Sequence, residues 1–354
     1  MGNNQWSEAG ERAVELLCRL IEVPRVSREE KEAADLLQAY MTGELGLEVR
    51  REGNNIWSVS PDFSADRQTL LLNAHIDTVR PVGGWQRDPF RATREGGRIY
   101  GLGSNDDGAS LVSLLHVFAA LKEADTLFNL VFLASAEEEV SGRGGVESVL
   151  PLLPKIDVAL VGEPTGMQPA IAEKGLMVLD CTACGKAGHA ARDEGDNAIY
   201  HAIDDIEWFR HYKWERVSPL LGPVKMSVTV VHAGTQHNVV PDSCSFTVDV
   251  RSNELYSNEE LLDGIKEHIH CGVKARSTRL GSSRIDDGHP LVRKIVALGG
   301  KPFGSPTLSD QALMPFPSLK MGPGQSSRSH SADEYIEVDE IRQAVETYLK
   351  VLVC

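Results

Sequence analysis

Cysteine is scarce and scattered: six residues among 354 do not make the framework of a disulfide-stapled secreted domain. Cys181 and Cys184 form a Cys-x-x-Cys pair, but they fall in an apolar, strand-like run (176–184), where residues three apart point to opposite faces. With neither a second pair nor a helix N-terminus beside them, a redox or zinc role is disfavoured. Long hydrophobic runs are missing as well, and none approaches the roughly 18 residues of a membrane span. Residues 1–12 are polar and acidic, without the charged-then-apolar layout of a signal peptide. Trp6 stands where a myristoylated Gly2 would require a hydroxyl. Basic residues are in deficit, 36 Lys and Arg against 51 Asp and Glu, for a net charge of −15. A groove for nucleic acid would want the opposite sign. These absences lead us to expect a cytoplasmic protein whose partners are small molecules, with neither nucleic acid nor membrane among them.

What is present reads as an α/β protein. A chain of 354 residues exceeds a comfortable single core, so two domains are expected. From about residue 8 to 175, helical and strand-like segments alternate. Short apolar runs at 69–74, 128–134 and 156–161 suit buried strands, and 109–121, apolar almost all round, suits a buried helix. From 176 the pattern changes. Val224, Met226, Val228 and Val230 alternate with polar neighbours, as do Phe246, Val248 and Val250, which describes antiparallel strands with one wet face. Helical stretches near 196–212 and 257–269 complete the order strand, helix, strand, strand, helix, strand of a ferredoxin-like α+β unit. After about 280 the first character returns, with Val338, Ile341, Val345, Tyr348 and Leu352 on one face of a last helix. The expected layout is therefore a discontinuous domain (1–175 and 280–354) with a mixed sheet flanked by helices, interrupted by a smaller one (176–279).

Polar clusters follow the apolar runs: His75 and Asp77 after the first, Glu137, Glu138 and Glu139 after the second, Glu163 after the third, and His330 in the Gly- and Ser-rich segment beyond 318–321. In open α/β sheets ligands collect at the carboxyl ends of strands, so these residues are placed to converge. A fifth cluster, Asn105-Asp106-Asp107, lies between a Gly-rich turn and the buried helix; that turn lacks the third glycine of a dinucleotide fingerprint. Each cluster has a bland reading of its own: a hydrogen-bonded histidine, a solvated acidic loop, a helix N-cap. Together, histidines and carboxylates without cysteine suit zinc or a similar divalent ion. A pair of such ions needs a carboxylate between them, to offset cation repulsion, and a separate carboxylate as base for the water they activate.

The segments LLNAHIDTV, WQRDPF, YGLGSNDDG, ASAEEEVSG, VGEPT, GKAGHAAR, HNVVPD and MGPGQSSRSHSADEY run through nearly the whole chain. Together they resemble the M20 metallopeptidase and amidohydrolase family, in its acetylornithine deacetylase and succinyl-diaminopimelate desuccinylase branch. The resemblance implies a zinc-peptidase-like catalytic domain with two Zn2+ per chain, Co2+ as a substitute, and a lid that forms a homodimer. It implies His75 and Glu163 on one ion, Glu139 and His330 on the other, Asp106 bridging and Glu138 as general base. Asp77 would orient the His75 ring. His189 would reach the partner's active site to stabilise the oxyanion, while Asn238 and Arg251 would bind substrate, a guanidinium matching a carboxylate. The substrate implied is an N-acyl amino acid such as N-acetyl- or N-succinyl-ornithine, an intermediate of arginine biosynthesis. Dipeptide or carboxypeptidase substrates are the alternative, and a catalytically silent metal-binding scaffold the rival of another class. Two departures stand out: Glu137 precedes the glutamate pair where relatives often have Asp, leaving Glu137 and Glu138 as a second register, and Asp107 stands where they have a small or apolar residue. Arg192 and Arg328 are candidates for a succinyl carboxylate. His116, on the buried helix, reads as a satisfied core histidine, His237 as a loop residue, and the acidic stretch 331–340 as the start of the last helix.

Overall fold

In the computed structural model, which describes residues 3–122, 124 and 126–353, the apolar runs become the strands of one mixed sheet. We number them β1 (Arg50–Glu52), β2 (Asn55–Val59), β3 (Thr69–His75), β4 (Asn129–Ser135), β5 (Val158–Val161) and β6 (Ala170–Glu173). The order is β1-β2-β4-β3-β5, then the strand Ser318–Lys320, then β6. β3, β4 and β5 are mutually parallel, with His75 opposite Ser135 and Asn73 opposite both Leu133 and Val161. Every residue of these three strands is buried. That explains why they read as unbroken apolar runs rather than alternating ones, since both faces are covered.

Helices Asn3–Ile21, Ala109–Leu121 and Val338–Leu352 pack against one another and cover one face. In Ala109–Leu121 all side chains but Ala119 and Ala120 are buried, as its apolar circumference predicts. On Val338–Leu352 the expected stripe is buried at Ile341, Val345, Tyr348 and Leu352 but only partly at Val338, and Glu337 and Glu340 form a capping box at its start. A second apolar cluster, with Trp57, Leu71, Leu133, Val146 and Met314, fills in around other strand residues. No described helix is long and apolar enough to cross a membrane.

The chain divides into two compact units: Met1–Ile171 with Ile285–Phe303 and Ser309–Cys354, and Ala172–Arg284 with Gly304–Leu308. The second unit holds four antiparallel strands, β7 (Met177–Cys184), β8 (Lys225–Ala233), β9 (Ser243–Arg251) and β10 (Gly272–Ala275), in the order β8-β9-β7-β10. Helices Ala198–His211 and Asn258–His268 complete the ferredoxin-like sequence of elements. Cys181 is buried and Cys184 exposed, on opposite faces of β7 as their spacing requires.

His116 sits in the helical layer with both ring nitrogens engaged: Nε2 lies 2.8 Å from the Tyr40 hydroxyl and Nδ1 2.7 Å from the Val112 carbonyl. The neutral ring satisfies both, donating to the carbonyl and accepting from Tyr40. Burial pushes its pKa down to about 4. The unfolded chain therefore takes up a proton near pH 6.5 that the folded one refuses until pH 4. Stability is full above pH 6.5 and falls as pH drops through that window, by about 3 kcal/mol. Urea melts between pH 7 and 4 check this, since a His116→Phe variant is expected to lose most of that slope.

Candidate active site

Because β3, β4 and β5 are parallel, the residues following them emerge at one edge of the sheet. His75 ends β3, Ser135 ends β4, and Glu163 follows β5 after Gly162. Gly162 is there for want of space: a Cβ would meet the Ser110 Cβ at 2.5 Å and Asp107 Oδ2 at 2.9 Å. After β4 the backbone turns at Glu137 (φ 56°) and again at Ser141 (φ 44°), bracketing one tight turn, Glu138–Val140. The Glu138 and Glu139 N–H groups donate to the two carboxylate oxygens of Asp77 at 3.0 and 3.1 Å, and Ser27 Oγ donates to Oδ2 at 2.6 Å. Asp77 thus holds the glutamate turn with its carboxylate and the His75 ring with its carbonyl, 2.9 Å from Nδ1. The Asp77 carboxylate is the more distant contact of that ring, at 3.5 Å. Glu137 goes elsewhere. Its carboxylate fills the space beside Gly142 and Gly144, which assigns the inward-facing pair to Glu138 and Glu139.

Asp106 reaches the same place from the Gly-rich turn. Its Oδ1 is 3.3 Å from His75 Nε2 and its Oδ2 3.6 Å from His330 Nε2, so one carboxylate spans two histidines. His330 Nε2 also lies 3.0 Å from Glu139 Oε2, and His75 Nε2 lies 3.9 Å from Glu138 Oε2. Two groups of side chains bring one donor atom each within 4.8 Å of one another: His75, Asp106 and Glu139, and His75, Glu138 and Glu163. Asp106 is not a helix cap, because Gly108 precedes the helix and no side chain caps it.

The electrostatics describe a place built for positive charge. Burial, together with the carboxylates of Glu163, Asp310 and Glu139, pushes the Glu138 pKa well above the usual range. Burial does the same to Glu163, opposed by the Lys320 ammonium, and takes Asp107 to about 8. His330 is raised to about 9, chiefly by its hydrogen bond to Glu139. Burial opposes protonation of His75, but Asp106 and Asp77 outweigh it and raise that ring too. Imidazole nitrogens and carboxylate oxygens around a buried, acidic centre are a donor set able to hold a divalent metal ion.

His75, Asp77, Asp106, Glu138, Glu139, Glu163 and His330 all belong to the first unit. His189, Asn238 and Arg251 belong to the second. There His189 is exposed and its Nδ1 accepts from the Ala191 N–H at 3.1 Å, while the Asn238 carbonyl accepts from Ala190. The Arg251 guanidinium forks onto Asp249 at 2.8 and 3.1 Å. Arg328 is tied to Glu340 at 2.6 Å and lies over the Tyr335 ring, and exposed Arg192 lies 3.9 Å from Glu194. Sequence reasoning missed four residues of the first unit. Arg25, Asp310, Lys320 and Glu334 are all buried charges. Asp310 accepts from Ser135 Oγ at 2.6 Å, and Glu334 accepts from the N–H groups of Gly103, Asn105 and Asp106. A charged residue inside an apolar run, as Lys320 is in 318–321, was the only signal available.

Known proteins resemble this chain over most of its length. The chain is 28% identical to the acetylornithine deacetylase of Shigella sonnei, across 96% of each chain. It is 29% identical to the succinyl-diaminopimelate desuccinylase of Corynebacterium glutamicum, across 91% of each. Its fold is that of the aminopeptidase PepT from Bacillus cereus, with a TM-score of 0.78 at 20% identity, covering 97% of this chain and 98% of that one. The model of peptidase family M20/M25/M40 matches residues 71–353, a span that takes in every residue of the cluster at the sheet edge, and the chain belongs to that family.

Proposed function

We propose that the protein is a dinuclear metal hydrolase, with Zn2+ as the native ion and Co2+ able to replace it, cleaving the amide of an N-acyl amino acid. N-acetyl- or N-succinyl-L-ornithine, in arginine biosynthesis, is the substrate we infer. The observation that carries this reading is Asp106, whose two oxygens lie 3.3 and 3.6 Å from the two histidines. A carboxylate shared by two ions would need such a placement, and this supports the reading. His75 and Glu163 would hold one ion, and Glu139 and His330 the other. Bound there, the ions supply Lewis acidity to the acyl carbonyl and acidify the attacking water. Glu138 takes that water's proton and passes it to the departing amine. Asp77 keeps Glu138 and Glu139 in register through their N–H groups. In the second unit, Arg251 would hold the amino acid's carboxylate through the nitrogen that Asp249 leaves unused, while Asn238, beside His189 and at the far end of β9 from Arg251, would bind substrate together with His189. The similarity to a deacetylase and a desuccinylase supports the linear-amide chemistry. The complete donor set with its base speaks against a silent scaffold. Free cysteines, five among the described residues, suit the reducing cytoplasm.

The test is a metal and substrate panel. Metal analysis of the purified protein is expected to find about two zinc per chain. Among N-acetyl-ornithine, N-succinyl-ornithine, N-acetyl-lysine, succinyl-diaminopimelate and dipeptides, an acyl-ornithine is expected to show the highest kcat/KM. Chelation is expected to abolish hydrolysis, and zinc or cobalt to restore it. Fastest turnover of dipeptides would replace this reading with a dipeptidase.

We also propose that the second unit forms a homodimer in which His189 serves the partner's reaction as oxyanion donor. Its strand β8 is a sheet edge, and residues 229–233 are exposed, including Val230 and Val231. An unpaired, apolar edge strand is a template for a second copy. Val231→Lys is expected to shift the protein to monomers in analytical ultracentrifugation and to lower kcat by roughly 10²-fold. A dimer that persists with full activity would refute it.

A further inference from the structure

The turn bearing Asp106 is gripped from two sides by buried charges that touch neither histidine. On one side lies Arg25, 2% exposed, whose Nη2 donates to the Gly103 carbonyl at 2.8 Å. The same carbonyl accepts from the Gly108 N–H at 3.0 Å, closing the turn. Gly103 adopts φ 71°, and a side chain there would collide with the Arg25 guanidinium and with Thr78. A Cβ on Gly108 would also meet Arg25 Nη2, at 3.1 Å. On the other side Glu334, also 2% exposed, accepts from the N–H groups of Gly103, Asn105 and Asp106 at 3.0, 2.8 and 2.9 Å. The backbone donors and an acceptor of one short turn are thus satisfied by the buried Glu334 carboxyl group and the buried Arg25 guanidinium.

Arg25 also belongs to the segment that steadies the other half of the site. Its carbonyl accepts from Thr78 N–H at 2.9 Å, and Ser27, two residues on, donates to the Asp77 carboxylate. Burial brings the guanidinium down to about 10, so it stays cationic at neutral pH. A buried arginine with two nitrogens unpartnered is costly to keep, which asks for a return beyond packing.

We propose that Arg25 and Glu334 are positioning residues, a buried clamp that fixes the turn 103–106 and so aims the Asp106 carboxylate between His75 and His330 before any cation binds. The proposal rests on the reading of Asp106 as the shared ligand. Aiming the ligand in advance removes the ordering cost from the binding of the ions, as outer groups do around metal-bound side chains.

The experiment compares wild type with Arg25→Lys, Arg25→Met, Glu334→Gln and Glu334→Asp. In the metal-free proteins, hydrogen-exchange mass spectrometry follows the peptide spanning residues 101–110. Arg25→Met and Glu334→Gln are expected to exchange there at least about tenfold faster, with Arg25→Lys and Glu334→Asp intermediate because charge is kept and reach is lost. Chelator competition is expected to show zinc affinity falling about 10–100-fold, and kcat falling similarly with KM within about threefold. Exchange and zinc affinity unchanged from wild type, with only the melting temperature lowered, would overturn the clamp. Should Arg25→Met or Glu334→Gln fail to fold, Arg25→Lys and Glu334→Asp decide by the same readouts. If wild type bound no pair of ions, the proposed function would fall, and the exchange comparison would still decide whether the clamp holds the turn.

Discussion

Glu138→Gln is expected to lower kcat by about 10³–10⁴-fold while the protein still carries close to two zinc per chain. The amide keeps the shape of the side chain and its place in the Glu138–Val140 turn, whose hold on Asp77 runs through backbone N–H groups. What it loses is the ability to accept a proton, and a positioned general base contributes up to about 10⁴-fold. The variant is also expected to melt at a higher temperature than wild type when both are metal-free. Burial and the neighbouring carboxylates of Glu163, Asp310 and Glu139 all disfavour a charge at Glu138, so wild type must take up a proton there to fold, and an amide removes that cost. Greater stability with lost turnover is the signature of a group kept for chemistry rather than for folding. Metal analysis, single-turnover hydrolysis and thermal melts check the three statements. Retained activity would mean that another group takes the proton.

Much of the architecture was legible because it rests on local periodicity. The largely apolar runs ending at Ala74, Ala134 and Val161 announced buried strands, and those strands, parallel in the structure, carry His75, the glutamate turn and Glu163 to one edge. The alternation of Val224, Met226, Val228 and Val230 announced the half-wet sheet of the second unit, although Val230 itself faces solvent at the far end of β8. The exchange between units falls at 171 and 285, with 304–308 added to the second unit, where periodicity had suggested 175 and 280. That crossing lies within β6, whose unbroken burial offers no change of pattern to mark it. His116 was legible as a core histidine because its helix is apolar on every side.

The clamp and the floor of the site were not legible. Glu334 stood in an acidic stretch that reads as a helix start. The helix is in fact capped by Glu337 and Glu340, and Glu334 turns inward to bond backbone groups more than 200 residues away. Arg25 donates across 78 positions and Asp310 accepts across 175. Pairings at such separations have no period in the sequence, and a lone charge in a loop carries no sign of burial. Asp77 shows the same limit at short range. The motif announces its presence beside His75, while the division of labour between its carbonyl and its carboxylate emerges only once the glutamate turn is folded against it.

Asp106→Asn is expected to halve the zinc content and to reduce kcat/KM by about 10²-fold or more. The side chain keeps its shape, and its main chain keeps the hydrogen bond to Glu334, so the turn should stay in place. The negative charge between His75 and His330 is lost, and with it the offset to repulsion between two dications held a few ångströms apart. His75 with Glu163 still offers donors for one ion, so binding should fall from two zinc per chain to one rather than to none. Titration calorimetry on the metal-free protein separates the cases. A single binding event with the second absent is the expected result, and two undiminished events would show that the carboxylate is not shared. Adding cobalt or zinc at high concentration should recover part of the activity of Asp106→Asn and none of that of Glu138→Gln, because the first lacks an ion that mass action can return and the second lacks a base that it cannot.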